Sequence, residues 1–306
     1  MVVGVMLGVG LAQPMIFWLG GGAHGWHMMA LSFAAVCFLS MLVCALGLRK
    51  VKLLPSTGEP TNLLGQMKPV LKNNPFMVLL GTTFIQNIAQ AASYTVIGFI
   101  FLYAVDAIWL IPFFVVTMSI GSMVSQPLWL KLSRKYGKER CYIWASIIWA
   151  AITVTWFFLT PGNDVLVTLP FVGDLATQHV LVLLRGFAIG IVNAGFILLA
   201  FSMMTDTVDY QRQHFGDAHE GVFSGVFSAA EKLAFALGPF VGGIVLSAFG
   251  FQSSMGGAEA QSSSAIVGIL LLYSLIPAGA QVLSLFLFAR FDLKQAPKAA
   301  LTQAAE

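Results

Sequence analysis

Eight uninterrupted apolar stretches dominate this chain, running approximately Val2–Leu19, Met28–Leu48, Phe76–Ala104, Ile108–Leu130, Tyr142–Leu159, Val180–Met204, Val222–Phe249 and Ala265–Ala289. Each approaches or exceeds the ~20 residues that an α-helix needs to cross a hydrocarbon core roughly 30 Å thick. A water-soluble fold cannot hide them all: 58% of the 306 residues are hydrophobic and only 9% are charged, against about 45–50% and about 25% in soluble domains. The competing membrane architecture, a β-barrel, is written in ~10-residue alternating segments, and these runs are continuous and longer. Helices are the expected spans, because in lipid each segment must satisfy its own backbone hydrogen bonds. A nucleic-acid binder and a disulfide scaffold are excluded as well; of three cysteines, Cys37 and Cys44 share one apolar run.

The charges test this count. The segments Arg49–Asn74, Lys131–Arg140, Asp206–Glu220 and the tail from Arg290 hold fourteen of the 16 Lys and Arg residues, and the alternate loops hold none. Basic loops stay cytoplasmic, so both termini are expected there, and a missed or invented span would scramble the pattern. The first run follows Met1 without the basic n-region or cleavage site of a signal peptide, and helix one is expected to be retained. The segment from residue 49 to 75 carries Pro55, Pro60, Pro69 and Pro75 and reads as a boundary between bundles, with Thr61 as a cap for a short surface helix over Leu63–Leu71. The expected organisation is two helices over residues 1–48, that inter-bundle loop, a six-helix bundle over 76–289 and a cytoplasmic tail over 290–306.

Ionisable groups inside the membrane are expensive and are functional hypotheses by default. Three fall within apolar runs: Arg185, Glu231 and Lys232. Glu231 and Lys232 lie about 16 Å into their span at 1.5 Å per residue, too deep to snorkel. Lys232 shares a helical face with Gly221, Ser224, Gly225 and Ser228. It either projects into a polar cavity or belongs to a structural interhelical pair. Arg185 is near enough to its span's outer end to snorkel. Gln86, Asn87, Gln90, Ser93 and Tyr94 occupy one ~120° arc of the third span. Such an arc lines a hydrated cavity and hydrogen-bonds a polyol, or glues helices together; Asn193 could serve either purpose. Trp144, Trp149 and Trp156 suit packing or interfacial anchoring, with stacking on a sugar face as the alternative. His24, His27, His214 and His219 lack metal-site companions, and no hydrolase, nucleotide-binding or metalloprotease motif occurs, so neither enzyme chemistry, nor a cofactor, nor a metal is expected. Asp206 and Asp209 sit at i, i+3 near a helix C-terminus, where carboxylates are disfavoured. Arg134, Lys135 or Lys138 could partner them in a cytoplasmic latch, the alternative being a hydrated acidic turn.

The stretch M-T-D-T-V-D-Y-Q-R-Q-H-F-G-D-A-H-E-G-V-F-S, Met204–Ser224, is similar to the link between helices ten and eleven of the glycoside/pentoside/hexuronide:cation symporter family within the major facilitator superfamily. The family's D-x-x-D-Y, Gly, E-G and Ser correspond to Asp206, Asp209, Tyr210, Gly216, Glu220, Gly221 and Ser224. L-K-N-N-P-F (Leu71–Phe76), W-L-K-L-S-R-K-Y-G-K-E-R (Trp129–Arg140) and G-G-G-A-H-G-W (Gly20–Trp26) resemble other family segments, in family order. The resemblance implies an all-α major-facilitator fold whose eight spans are family helices five to twelve, with the four earlier helices as a missing partner. It implies a sugar-like solute moved with sodium or protons across a bacterial inner membrane. Gln86, Asn87, Gln90, Tyr94, Asn193 and Ser228 would bind solute. Lys232 with Glu231 would tune the cation site, and Asp206, Asp209, Arg134, Lys135 and Glu220 would form the cytoplasmic gate. The family's cation-binding acids lie mainly on the early helices, so this chain alone is not expected to perform coupled transport. Asp217, Ala218 and His219 depart from the basic residue of many relatives, which leaves the substrate subclass open. The alternatives are a lysolipid or other amphiphile transporter of the same fold, and a non-transporting fragment.

Overall fold

The computed structural model describes residues 11–12, 15–16, 18–49, 67, 70–159, 164–169, 173–215, 220–253 and 261–293. It divides into two compact units, Met1–Thr61 and Asn62–Glu306. Among the described residues, seven helices are long and apolar enough to cross a membrane. The expected first span at Val2–Leu19, the Thr61 cap with most of its surface helix, and the tail beyond residue 293 lie largely or wholly outside the described residues.

In the first unit, α1 (Gly22–Leu48) is 27 residues long, about 40 Å at 1.5 Å per residue. It follows a turn in which Gly20, Gly21 and Gly22 take φ of +106°, +66° and +52°, the left-handed region that favours glycine. A Cβ at Gly25 would meet the Ile16 carbonyl oxygen at 2.3 Å, so the turn folds back closely on the helix it starts.

The second unit is a helical bundle. Helix α2 (Asn74–Phe99) runs on into a π-helical turn at Ile100–Ala104. A 3-10 turn at Ile108–Leu110 leads into α3 (Ile111–Tyr136), and α4 (Lys138–Val154) ends in a 3-10 turn at Thr155–Phe158. After a two-stranded hairpin come α5 (Thr177–Phe215), α6 (Glu220–Ala248), α7 (Ser263–Tyr273) and α8 (Leu275–Phe288). The Asn73 side chain caps α2 by accepting from the Phe76 N–H at 3.0 Å, with Pro75 in the first turn, where its missing N–H costs nothing. Its Nδ2 donates to the Thr207 carbonyl at 2.9 Å and to Gln211 Oε1 at 3.2 Å. One fully buried amide thus starts α2 and ties it to the end of α5.

Two features depart from the apolar pattern. The expected plain connection after Leu159 contains an antiparallel hairpin, β1 (Val165–Leu169) and β2 (Gly173–Ala176), pairing Leu169 with Gly173 and Val165 with Ala176. The β-branched residues Val165, Val167 and Thr168, with Pro170 and Gly173 as breakers, carry that signal. The expected single span over Ala265–Ala289 breaks at Ser274 (φ −121°, ψ −76°) into α7 and α8. Pro277 removes one ladder donor, and the Ser93 hydroxyl donates to the buried Leu272 carbonyl at 3.1 Å. Helix α5 is also longer than the apolar run from Val180 to Met204, because its last turns are polar and leave the hydrocarbon as helix.

Small residues set the packing. A Cβ on Gly190 of α5 would stand 1.9 Å from the Met118 carbonyl of α3, one on Gly121 of α3 would stand 2.4 Å from the Phe187 carbonyl, and one on Gly238 of α6 would stand 2.3 Å from Ala91 Cβ of α2. Backbones in lipid approach this closely only through glycine, and dispersion replaces a hydrophobic drive that lipid does not supply. Around these seams lie an aromatic core at the hairpin end (Phe101, Phe114, Trp156, Tyr273) and another toward the basic end (Trp129, Tyr142, Trp149, Phe196, Phe288).

Candidate functional site

The amide arc of α2 divides. Gln86 is buried, and its side chain is engaged at both ends: Tyr142 Oη of α4 donates to its Oε1 at 2.8 Å, and its Nε2 donates to Ser284 Oγ of α8 at 2.7 Å. Ser284 then donates to the Gln281 carbonyl at 2.7 Å. Gln86, expected among the solute-binding residues, thus lies in a relay that holds three helices together, the glue use of a membrane amide. Ser93 is likewise spent, on the α7 carbonyl. Sequence reasoning missed Tyr142 and Ser284 because a partner on another helix leaves no local spacing. Gln86→Leu strands the buried Tyr142 phenol and removes the donor to Ser284 Oγ, and should lower stability by about 1–3 kcal/mol. Tyr142→Phe in that background should cost little more, since the phenol has already lost its acceptor. Thermal unfolding of the two single variants and the double variant in detergent would reveal a relay that is not coupled, if their losses simply added.

The rest of the arc stays available. Asn87 and Gln90 are half-buried, and Tyr94 is 44% exposed, with its ring 6.4 Å from Phe235 of α6. Gln90 Nε2 and Asn193 Oδ1 are 3.5 Å apart, a weak contact that brings α2 and α5 together at one polar spot. Helices α2 and α6 run parallel, with Phe223 against Phe76 at one end and Gly238 against Ala91 farther along. That register sets Lys232 level with Ile85, about one turn from Gln90. Ser228 and Lys232 are exposed on α6 and Glu231 is half-buried. Among the described residues no carboxylate lies within 4 Å of the Lys232 ammonium. Gln90 and Asn193 thus meet between α2 and α5, Asn87 and Tyr94 lie on the same arc of α2, and the neighbouring α6 carries exposed Ser228 and Lys232 at a similar level; these six are the candidate polar stripe. Neither of the two surface concavities described, one on α6 at Pro239–Ala248 and one between α4 and α5, is lined by these residues.

Of the three basic residues expected as partners for Asp206 and Asp209, Lys138 makes the pair. Lys138 Nζ, at the start of α4, donates to both Asp206 oxygens at 2.7 Å. Asp209 is 3.7 Å from Arg212 on its own helix, and Arg212 also pairs with Glu220 at the start of α6. Arg134 and Lys135, assigned to the gate, are exposed and make no ion pair among the described residues; Lys135 lies 5.0 Å over the Tyr136 ring. The cause is the break at Gly137 (φ +91°), which ends α3 and starts α4. Lys138 lies beyond it and takes α4's position against α5. Arg212 was legible as a basic residue at i+3 from Asp209, which the sequence reading passed over. All three ion pairs lie within the second unit, so they brace one bundle at its basic end. Among the described residues no group of His, Cys, Asp and Glu could hold a metal.

Comparison with known proteins adds independent evidence. Residues 1–295 match the family model described as MFS/sugar transport protein. The chain is 23% identical to the isoprimeverose transporter of Lactiplantibacillus pentosus over 87% of this chain and 53% of that protein. It is 24% identical to a putative sulfoquinovose importer of Escherichia coli K12 over 85% of this chain and 52% of that protein. It is also 24% identical to the inner membrane symporter YicJ of Escherichia coli K12 over 94% of this chain and 59% of that protein. The chain thus spans about half the length of the curated relatives it matches.

Proposed function

The chain belongs to the MFS/sugar transport protein family, and from that premise we propose that it forms the solute-facing helices of a sugar:cation symporter. The observation that carries this reading is the meeting of Gln90 and Asn193 between α2 and α5, with an exposed Tyr94 on the same arc of α2 and an exposed Lys232, without a carboxylate partner among the described residues, on the neighbouring α6. Amides and phenols both donate and accept, which suits the hydroxyls of a sugar. An exposed, unpaired cation at mid-span is stable only where water or a carboxylate meets it. In a secondary transporter such a site lies near the midplane between helix groups that rock about it. On this reading Asn87, Gln90, Tyr94, Asn193 and Ser228 orient the solute, and Lys232, with Glu231 nearby, sets the field at the coupling ion. The mechanism is binding and rocking, with no bond made or broken. An inner-membrane location with cytoplasmic termini follows from the same reading.

The test is equilibrium binding of a panel of pentosides, hexosides and sugar acids to the purified protein, with a lysophospholipid as the competing cargo. One sugar class should bind saturably. Asn193→Ala should weaken it up to about tenfold, the equivalent of one lost hydrogen bond of 0.5–1.5 kcal/mol. Lys232→Gln should remove the dependence of binding on sodium or pH. Saturable binding of the lysophospholipid with no binding of any sugar would overturn the reading in favour of an amphiphile carrier.

A further inference from the structure

Arg185 lies outside the polar stripe. It sits eight residues into α5 from Thr177, about 12 Å below the hairpin end at 1.5 Å per residue, and turns toward α4, whereas Asn193 on the same helix meets α2. Its Nε donates to Thr155 Oγ1 at 3.1 Å, and its guanidinium carbon stands 5.8 Å from the Trp156 ring centre. These two contacts fix the guanidinium plane. No carboxylate among the described residues lies within 4 Å of it, so its terminal amino groups remain for a ligand.

Arg185 lines a cavity of about 260 Å³ between α4 and α5, with Phe158, Leu159, Asp164, Thr177, Gln178 and Leu181. The walls are sorted by polarity. Asp164 and Thr177 stand at the hairpin rim, joined by the Thr177 N–H to the Asp164 carbonyl at 3.1 Å. Phe158 and Leu181, 70% and 45% exposed, form open apolar flanks. In a bilayer these exposed flanks would face acyl chains, with Arg185 about 12 Å below the hairpin end, within reach of the headgroup level. A fixed cation inside and a carboxylate at the rim match the phosphate and the primary ammonium of one amphiphile, whose chains would lie against Phe158 and Leu181.

We propose that the α4–α5 groove is a binding site for phosphatidylethanolamine in the leaflet at the hairpin end, with the lipid phosphate on Arg185 and its ammonium on Asp164. A quaternary ammonium cannot donate hydrogen bonds to Asp164, and a glycerol headgroup brings it no cation. The proposal therefore fixes an order of preference: ethanolamine over choline and over glycerol headgroups.

The experiment is native mass spectrometry of the purified full chain after delipidation and titration with phosphatidylethanolamine, phosphatidylcholine and phosphatidylglycerol of identical chains. One phosphatidylethanolamine should be retained at least about fivefold more tightly than either competitor. Arg185→Gln should remove that retention, Arg185→Lys should keep part of it, and Asp164→Asn should bring ethanolamine and choline lipids to equal affinity. Glycerophosphoethanolamine without chains should not compete. Retention unchanged in Arg185→Gln, a preference for phosphatidylglycerol, or equal retention of all three lipids by the unaltered protein would each overturn the proposal. If Arg185→Gln fails to fold, the lysine and Asp164 variants still decide it. Failure here leaves the solute reading intact, because neither residue belongs to the polar stripe.

Discussion

Gly190→Leu is expected to abolish the folded bundle. A Cβ at this position alone would stand 1.9 Å from the Met118 carbonyl oxygen, 2.8 Å from its carbon and 3.0 Å from its Cα. All three obstacles are backbone, so no rotamer change relieves them. The helices must separate, and separation also dismantles the neighbouring approaches of Gly121 to Phe187 and of Gly195 to the Trp129 ring. It further removes the Trp129 indole bond to the Ile191 carbonyl at 2.7 Å and the Ser125 bond to the same oxygen at 3.1 Å. Overpacking alone costs about 1–3 kcal/mol, and stranding the buried Trp129 indole N–H adds a comparable amount. The total of several kcal/mol reaches most of the stability of an ordinary domain. Size-exclusion profiles and thermal unfolding in detergent provide the measurement. Gly243→Ala, where a Cβ meets nothing within 4 Å, is the control and should be neutral or slightly stabilising through helix propensity. A monodisperse Gly190→Leu protein with an unchanged melting temperature would show that α3 and α5 do not meet at this seam.

The second large effect is expected at the basic-end brace. Lys138 and Asp206 are roughly a third exposed, at 38% and 30%, so their pairing contributes little to static stability. Its consequence is positional: it ties the start of α4 to α5 at the point where Gly137 lets the chain turn. Asp206→Lys sets two ammonium groups against each other, and like charges so opposed cost several kcal/mol. Where solute binding needs this end of the bundle to hold its shape, affinity should fall at least about tenfold, the equivalent of 1.4 kcal/mol. Lys138→Asp should do the same, and the double reversal should return most of the affinity. Equilibrium solute binding to the purified protein checks this. Single reversals without effect, or a double variant no better than either single, would remove the brace from the binding reading. Arg134→Ala and Lys135→Ala, which break no ion pair, should change the affinity less than twofold.

The contrast between Lys138 and its neighbours shows how far the sequence could be read. Hydropathy located the seven described spans because insertion into lipid is decided segment by segment, by length and apolarity, and both are local. Motif order across Gly20–Trp26, Leu71–Phe76, Trp129–Arg140 and Met204–Ser224 gave the family, which the match over residues 1–295 supports. The α7–α8 break was less legible, since Ser274 and Pro277 sit inside an apolar run of unchanged hydropathy. The hairpin at Val165–Ala176 was legible in its β-branched residues but was masked by the search for long apolar runs.

Which polar side chain serves which purpose was decided by tertiary structure alone. Gln86 and Gln90 lie one helical turn apart on the same face and read alike in sequence. One meets Tyr142 and Ser284 in the bundle interior, and the other reaches the stripe beside Asn193. Arg134, Lys135 and Lys138 are equivalent as charges, yet only Lys138 follows the turn at Gly137 into contact with Asp206. Composition and periodicity fix what must be buried in lipid, because that energy depends on each segment by itself. A hydrogen bond or an ion pair depends on a second group whose position is set by helices far away in the chain, and that information exists only once the bundle has closed.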